Sequence, residues 1–351
     1  MAPLALHDFH RARGAIFSAL NDFESVASYG ATEAEYLALT REAGLIDLSF
    51  RSRICLLGSD REKFLHGQIT NEILRLKTGE GTYGALVTAK GKLETDLFAY
   101  KLQDELLLDF EPGLTEKITD RLSKYIIAED VQIVDVAPHY SLLSVQGPRT
   151  AELIANTGLI ATLPEKQFNW SKIASPNGDL YVMNNGRYGV AGYDLFVPMA
   201  DTANIAEQLS RFIKPIGVEA CEISRIENGI PRFGVDMDGT NLAPEALGEN
   251  AISYAKGCYI GQEVIARIRT YGQVAKALRL LRLPADFPQL PPRGEKLFKQ
   301  GREVGFVNSS TSSPKHSARV ALAYVRKEAN APGESLNLGT ADGPTAVIIS
   351  V

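Results

Sequence analysis

The chain has 351 residues, of which 45% are hydrophobic and 23% charged, the composition of an ordinary globular protein with two or three structural units. Its formal net charge is −5, and its lysines and arginines are scattered rather than clustered, which argues against a surface that follows nucleic-acid phosphates. Direct nucleic-acid binding is therefore not expected.

The cysteines and histidines give no sign of a metal site. Cys55, Cys221 and Cys258 lack the close spacing of zinc or cluster ligands, and their small odd number favours a reducing compartment. Five histidines form no metal-binding spacing. No apolar run approaches the roughly 20 residues of a membrane span, and the N-terminus lacks a signal-peptide core. We expect a soluble cytoplasmic protein with no membrane partner.

Residues 1–30 are predicted as a lead-in to the folded part of the chain. Three of its apolar residues have the spacing of one helical face, namely Ile16, Phe17 and Leu20. Next, the capping-box spacing of Thr32 and Glu35 predicts a helix that ends at Gly44.

The segment 53–136 has the pattern of strand, helix, three strands, helix and strand, which predicts an α+β unit that resembles a ferredoxin-like fold with an extra strand. Its first helix is predicted to begin at Ser59 and to continue through Ile69 to Leu74, because apolar residues recur there at helical spacing.

A domain division follows from these elements. Residues 31–52 and 137–285 are predicted to form a first, discontinuous domain into which 53–136 is inserted. The proline-rich stretch 286–294 is predicted as a linker, and the short strands beyond it predict a small β-barrel at 295–351.

The stretch KGCYIGQEVIAR (256–267) is the sharpest candidate for chemistry. A cysteine just before a predicted helix, with Lys256 nearby, has surroundings that favour the reactive thiolate. The alternative is that Cys258 is a small buried apolar residue, as we expect for Cys55 and Cys221. The residues of this motif are Lys256, Gly257, Cys258, Tyr259, Gly261, Gln262 and Glu263.

Asp96 is the second candidate. It lies in the otherwise apolar strand LETDLFAY (93–100), where alternation can place it on a sheltered face. A buried carboxylate needs a partner, and a ligand amine is one such partner. The alternative is an exposed strand residue that pairs with a neighbouring lysine.

The octapeptide KGCYIGQE closely resembles the signature of the folate-binding YgfZ family, whose members support iron–sulfur proteins and, in bacteria, a tRNA-methylthiolating enzyme. Further matches lie at 47–73, 140–150 and 225–237 and in the C-terminal stretches EVGFVNSS (303–310) and ALAYV (321–325), so the resemblance covers about residues 31–351. It implies an accessory protein for iron–sulfur cluster enzymes, including those of tRNA modification, that acts through Cys258. Its partners would be iron–sulfur enzymes or cluster-assembly proteins.

That family shares its fold with the glycine-cleavage aminomethyltransferase. The resemblance implies an α+β fold of three domains around a central channel that holds tetrahydrofolate or a one-carbon derivative. The enzyme's aspartate near the reacting folate nitrogen aligns with Asp96. The folate contacts that the resemblance implies are Asp96, Asn71, Thr70, Tyr188 and Arg225.

Two positions depart from the enzyme's pattern. The segment GRYGVAGYD (186–194) places Val190 where the enzyme has a pterin-binding glutamate, and GVEACEISRIENG (217–229) places Cys221 where it has an arginine. Each buried polar group of the pterin that loses its partner costs about 1–3 kcal/mol. We therefore expect a protein that is not a conventional enzyme; if it is one, it is a tetrahydrofolate-dependent one-carbon transferase.

Two alternatives stay open. The first is an active aminomethyltransferase of the glycine cleavage system, which Asp96 favours and which Val190 and Cys221 oppose. The second is a non-catalytic scaffold that binds a partner and keeps the folate pocket only as a relic.

Overall fold

The computed structural model describes residues 3–272, 274–284, 287 and 289–350. Two compact units make up the chain: unit 1 is Met1–Gly84 with Asp96–Cys221, and unit 2 is Ala85–Thr95 with Glu222–Val351. No helix among the described residues is long and apolar enough to cross a membrane.

Unit 1 contains most of the helices and strands. Its helices are α1 (His7–Arg11), α2 (Thr32–Arg41), α3 (Arg61–His66), α4 (Thr115–Ser123), α5 (Thr150–Asn156), α6 (Thr202–Ser210) and α7 (Val218–Glu227), the last of which continues into unit 2. Its strands are β1 (Ile16–Leu20), β2 (Phe23–Ser28), β3 (Gly44–Asp47), β4 (Ser52–Leu57), β5 (Gly81–Val87), β6 (Leu93–Lys101), β7 (Leu106–Phe110), β8 (Gln132–Asp135), β9 (Tyr140–Gln146), β10 (Trp170–Ser175), β11 (Gly178–Asn184), β12 (Gly192–Pro198) and β13 (Lys214–Pro215). Strands β5 and β6 each have three residues in unit 2.

A six-stranded sheet has the order β10-β11-β12-β9-β3-β13. Strand β13 runs parallel to β3, and the neighbouring pairs from β10 to β3 are antiparallel. Central strand β9 is buried along nearly its whole length, since separate apolar clusters cover its two faces: Leu142 belongs to one, and Leu143 and Val145 to the other. Burial on both faces explains why this strand is apolar without strict alternation.

A five-stranded sheet has the order β5-β6-β7-β4-β8. Strands β6 and β7 are antiparallel and place Phe98 opposite Asp109. Asp109 is fully buried in a strand that is otherwise apolar, so its charge needs partners within the protein. This pair of strands carries the polar cluster described below.

The lead-in is not helical where the sequence predicts a helical face. Strands β1 and β2 form an antiparallel hairpin there, in which Leu20 pairs with Phe23. The two residues between them, Asn21 and Asp22, have φ of 48° and 67°. Asparagine and aspartate tolerate this left-handed region, which suits a tight hairpin turn. The prediction was wrong because it counted apolar spacing and overlooked the turn residues.

The predicted helix through Leu74 is also wrong in its extent, since α3 ends at His66. Ile69 and Ile73 are fully buried, but in irregular chain. Asn71 accounts for the difference: its Oδ1 accepts a 2.8 Å hydrogen bond from the backbone N–H of Glu72. Such side-chain bonds to the local backbone compete with helix formation.

Unit 2 contains a closed six-stranded barrel in the order β14-β17-β16-β15-β18-β19. Its elements are α8 (Ala243–Ala246), α9 (Gln262–Tyr271), β14 (Lys276–Arg282), β15 (Lys296–Lys299), β16 (Arg302–Ser313), β17 (Ala318–Arg326), β18 (Ser335–Leu338) and β19 (Thr345–Ile349). Buried aliphatic residues such as Val307, Ala323 and Val325 belong to one apolar cluster of this unit.

The barrel begins before the proline-rich segment, whereas the sequence prediction begins it at residue 295. Strand β14 pairs with β17 and β19, far later in the chain, and the intervening prolines hide that continuity from sequence patterns. Within the predicted linker, Asp286 and Pro288 lie outside the described residues. The division into three domains stays a prediction, as does a cytoplasmic location.

Candidate functional site

Asp96 lies half-buried on β6, as its place in LETDLFAY predicts. The Tyr83 hydroxyl donates a 2.8 Å hydrogen bond to its Oδ2 atom. The pKa of Asp96 is raised to about 6, first by burial and then by the charge of Glu111, whereas the Tyr83 hydrogen bond and Arg51 act in the opposite direction. A carboxyl group that titrates near neutral pH can hold or release a proton beside a ligand.

Tyr83, the residue that contacts this carboxyl group, belongs to a row of packed aromatic rings. The ring centroids of Tyr83 and Phe98 lie 5.1 Å apart, and those of Phe98 and Phe168 lie 5.8 Å apart. The guanidinium carbon of Arg187 lies 4.8 Å from the Phe98 centroid. The arrangement offers flat apolar surface next to the Asp96 carboxyl group, which suits a planar ligand with one basic or polar edge.

A buried ion network fixes these side chains. Asp109 accepts a 2.8 Å hydrogen bond from Nε of Arg51 and another from Nη2 of Arg187. Arg187 also donates through Nε to Asp194 at 2.8 Å, and Arg51 donates through Nη1 to Glu111 at 2.5 Å. Burial opposes ionisation of Asp109, but the two arginines outweigh it and lower its pKa below the usual value. The network therefore holds Asp109 as a carboxylate.

Asn71 and Thr70 are two further residues that the sequence predicts as folate contacts. The Asn71 Nδ2 atom donates a 2.8 Å hydrogen bond to the backbone oxygen of Tyr83, the residue that contacts Asp96. Thr70 is fully buried. Asn71 is thus placed to position the strand that carries Tyr83, and a direct contact of either residue with folate stays a prediction.

The positions that depart from the enzyme's pattern are apolar or enclosed. Val190 and Tyr188 are half-buried and pack against the same apolar cluster, and burial raises the pKa of Tyr188 well above its usual value. Cys221 is 2% exposed, and its Sγ lies 3.6 Å from the backbone oxygen of Gly217. Neither Val190 nor Cys221 supplies the charged group that the enzyme's pattern has there.

Arg225, a further predicted folate contact, is buried within unit 2. Its Nε and Nη2 atoms donate to Glu222 at 2.8 and 2.6 Å, and Nη1 donates to Asp236 at 2.7 Å. Because each of its three nitrogens has a protein acceptor, these contacts describe a structural role, and its role toward folate stays a prediction.

Cys258 is exposed, whereas Cys55 and Cys221 are buried. It lies four residues before the first residue of α9, which begins at Gln262 as the sequence predicts. Glu263, in the first turn, forms an exposed ion pair with Arg267. The expected burial of Cys55 and Cys221 is confirmed, and the alternative of a buried Cys258 is wrong.

Contacts within unit 2 hold the loop that presents this thiol. Gly261 has a φ of 82°, and a Cβ atom there would lie 2.5 Å from the backbone oxygen of Thr88, so both its conformation and the close approach require glycine. The Oε1 atom of Gln262 accepts a 3.0 Å hydrogen bond from the backbone N–H of Tyr259. Tyr259 is buried, and the Nζ atom of Lys256 lies 4.8 Å from its ring centroid.

Sequence reasoning missed the residues that surround Asp96, namely Arg51, Tyr83, Phe98, Asp109, Glu111 and Arg187. Their ion pairs and ring contacts join segments that are far apart in the chain, so no local pattern reveals them. A signal existed only for Phe98, which shares with Asp96 the alternation of one strand face. Among the described residues, no three His, Cys, Asp or Glu side chains converge in a way that could hold a metal ion.

Comparison with known proteins gives two family matches that together span nearly the whole chain. Residues 6–256 match the GCVT N-terminal domain, and residues 276–350 match the glycine cleavage T-protein C-terminal barrel domain. The predicted α+β fold with a C-terminal barrel is confirmed.

Relatives and a solved structure agree with this match. An aminomethyltransferase of Streptomyces avermitilis is 26% identical over 343 residues, which cover 94% of this chain and 90% of the relative. One of Rubrobacter xylanophilus is 26% identical over 328 residues, covering 92% and 87%. The crystal structure of glycine cleavage system aminomethyltransferase T from Bartonella henselae superposes with a TM-score of 0.88 at 21% identity, covering 99% of this chain and 96% of that one. At that identity the likeness concerns the fold alone.

Proposed function

Since the chain belongs to the glycine cleavage T-protein family, we propose that it binds tetrahydrofolate or a one-carbon derivative beside Asp96. Aminomethyltransferases of this family use tetrahydrofolate. The observation that carries the proposal is the half-buried Asp96 carboxyl group, hydrogen-bonded by Tyr83 and raised in pKa to about 6.

The side chains around Asp96 fit a reduced pterin in part. Tyr83 and Phe98 supply aromatic surface for a flat ring, and Asp96 supplies an acceptor for an amine of that ring. Val190 and Cys221 offer no charged partner to the remaining polar edge. We infer that folate binds with fewer polar contacts than in the enzyme, and therefore more weakly or in another one-carbon form.

We further propose that the bound folate serves an accessory role toward iron–sulfur enzymes, including those of tRNA modification, in which Cys258 is the reactive group. The resemblance of KGCYIGQE to the YgfZ signature supports this role. So does the placement of Cys258, since a loop held by Gly261 and Gln262 presents its side chain to solvent. An exposed thiol on a fixed loop is accessible to a partner protein or its cluster.

The second candidate is aminomethyl transfer in the glycine cleavage system. The names of the relatives support it more directly than they support the iron–sulfur role, and the retained Asp96 agrees with it. Val190 and Cys221 oppose it. A third possibility, a scaffold without folate, predicts that the purified protein binds no folate form.

One set of measurements separates these functions. Titration with tetrahydrofolate and its methylene and formyl forms should show saturable binding, and its absence would favour the scaffold. Incubation with aminomethylated lipoyl carrier and tetrahydrofolate should show little turnover, and rapid turnover would favour the enzyme. Iron–sulfur enzyme activity in cells that lack the protein should be restored by the wild type and not by Cys258→Ala.

A further inference from the structure

We propose that a pocket in unit 2, beside the loop of Cys258, binds an acidic segment of a partner protein. The pocket has a volume of about 540 Å³. One wall is the chain before the motif, with Glu249, Ser253 and Tyr254, and the other is α9, with Ala266, Arg269 and Thr270. None of these residues has a role in the proposed folate site.

Arg269 is the feature of the pocket that points to an acidic ligand. Its guanidinium carbon lies 4.0 Å from the ring centroid of Tyr254, which holds the planar group against the pocket wall. Among the described residues no carboxylate forms an ion pair with Arg269, in contrast to Arg267, two positions earlier on the same helix, which pairs with Glu263 at 2.6 Å. A pre-oriented guanidinium without a carboxylate is suited to bind one from a ligand, with two parallel N–H donors.

The size and the composition of the pocket favour a peptide segment over a single ion as its occupant. The pocket is larger than one carboxylate needs, and the Ser253 hydroxyl can bond a peptide backbone. The Thr270 hydroxyl donates to the Ala266 backbone oxygen at 3.0 Å, and its oxygen can still accept a hydrogen bond from a peptide N–H. Tyr254 is 37% exposed, so its ring offers apolar surface for a neighbouring side chain. Glu249 lies in the same pocket and repels an acidic ligand, a property that the test below uses.

The charge distribution of the chain agrees with an acidic partner. Unit 2 contains 18 lysines and arginines and 14 aspartates and glutamates, a net charge of +4, although the whole chain carries −5. The remaining −9 belongs to unit 1. A positive unit within an acidic protein attracts acidic partners to one part of its surface and raises their association rate.

The position of the pocket links it to Cys258. Its wall includes residues up to Ala255, and the motif begins with the next residue, Lys256. The exposed Cys258 follows Lys256 by two residues. A partner segment bound there would lie next to the thiol. The inference rests on the proposed function in one respect, since that function is the reason for a partner protein to approach Cys258. The pocket and its charged residues do not depend on folate binding.

The test is a charge-sign experiment on the full-length protein. A fluorescein-labelled peptide of alternating aspartate and tyrosine is titrated by fluorescence anisotropy at low salt, with the asparagine counterpart as control. We expect the acidic peptide to bind and Arg269→Gln to weaken it roughly three- to tenfold. Glu249→Gln should strengthen it about twofold, and Arg267→Gln, the matched control outside the pocket, should change it less than about twofold.

Opposite effects of Arg269→Gln and Glu249→Gln are the result that a merely structural role would not give. Equal binding by Arg269→Gln, weaker binding by Glu249→Gln, or equal binding of the asparagine peptide would each overturn the proposal. Displacement of the peptide by inorganic tripolyphosphate at an equal concentration would instead assign a small-anion site. Self-association that Arg269→Gln abolishes, without peptide binding, would assign a dimer interface. The folate affinity of the same variants should be unchanged. A failure of the pocket proposal would therefore appear in the peptide titration, and a failure of the folate proposal would appear in the folate titration.

Discussion

The Tyr83 hydroxyl lies 2.8 Å from Oδ2 of Asp96 and donates a hydrogen bond to it. This bond favours the carboxylate, whereas burial and the charge of Glu111 favour the protonated acid. The balance between them places the pKa of Asp96 at about 6. The protonation of this one group can therefore set the pH dependence of a ligand that binds beside it.

Tyr83→Phe should raise the pKa of Asp96 above 6, because it removes a donor that stabilises the carboxylate. The pH midpoint of tetrahydrofolate affinity should move upward with it. Measurement of folate affinity from about pH 5 to pH 8 checks this. Asp96→Asn is the control, since it should abolish the transition in both backgrounds. A midpoint that is unchanged in Tyr83→Phe would show that the hydrogen bond does not tune Asp96.

Asp96→Asn should stabilise the protein at high pH. Because the folded-state pKa of Asp96 is raised, the folded state binds its proton more tightly than the unfolded state does, and this stabilisation is lost as pH rises through about 6. The variant has no such loss. Its free energy of unfolding relative to wild type should therefore increase by roughly 1–2 kcal/mol between about pH 4 and pH 8, a value reduced for partial solvent screening. Urea unfolding at several pH values measures it, and a pH-independent difference would contradict the assignment.

Asp109→Asn should strongly destabilise unit 1. The substitution leaves the Arg51 and Arg187 guanidinium groups without one carboxylate in a buried setting, and losing one partner of such a network costs about 3–5 kcal/mol. Because the pKa of Asp109 is lowered, its carboxylate contributes to the free energy of unfolding at neutral pH. This contribution is lost as pH falls through the lowered pKa.

The matched control for Asp109→Asn is Glu152→Gln, which removes an exposed ion pair with Arg149. Urea unfolding of this control should match that of the wild type, because exposed pairs contribute little. Similar unfolding curves for both variants would show that the network is not a stabilising feature.

Local patterns predicted the α+β class and the C-terminal barrel, and apolar periodicity places several helices correctly, such as α2 at Thr32–Arg41. The predicted capping box is wrong there, because Ala31 is the N-cap residue and makes no side-chain cap hydrogen bond. The helix also ends at Arg41, and Gly44 begins strand β3. The errors have physical causes. The Asn21–Asp22 turn and the Asn71 side-chain hydrogen bond override apolar spacing that resembles a helix. Local patterns also gave no sign that β14 pairs with barrel strands, because its partners are distant in the chain.

The candidate site was predictable only in part. Asp96 was found because a carboxyl group within an apolar strand is unusual, and Cys258 because its motif is specific. Tyr83 and Glu111 could not be found, since their relation to Asp96 exists only after the sheet and the Arg51 ion pairs have formed. Such contacts cannot be predicted from local sequence patterns.

Cys258 should be the cysteine that reacts with alkylating agents in the folded protein. Cys55 and Cys221 are 3% and 2% exposed, and burial raises the pKa of the Cys55 thiol well above its usual value. Mass spectrometry after brief iodoacetamide treatment should find the label at Cys258. Labelling of all three at similar rates would contradict the structure.

Cys258→Ala should fold and bind folate as the wild type does, because the proposed account gives the thiol no part in binding folate. The variant should fail to restore iron–sulfur enzyme activity in cells that lack the protein. Full restoration would show that the thiol has no part in the accessory role, and the motif would then be evidence for the fold only.

Aminomethyl transfer should be slow or absent, since Val190 and Cys221 replace charged residues of the enzyme's pattern. A single-turnover assay with aminomethylated lipoyl carrier and tetrahydrofolate measures the rate directly. Turnover at about 1 per second or faster would establish the enzyme instead.

The most direct test of the central claim is a tetrahydrofolate titration followed by the fluorescence of Trp170, the only tryptophan of the chain. Its indole is partly buried and donates a 2.9 Å hydrogen bond to the Lys101 backbone oxygen, which keeps the reporter in a defined environment. The account predicts saturable binding by the wild type and by Glu152→Gln, and affinity at least about tenfold weaker in Asp96→Asn. Equal affinity in Asp96→Asn, or no binding of any folate form by the wild type, would contradict it.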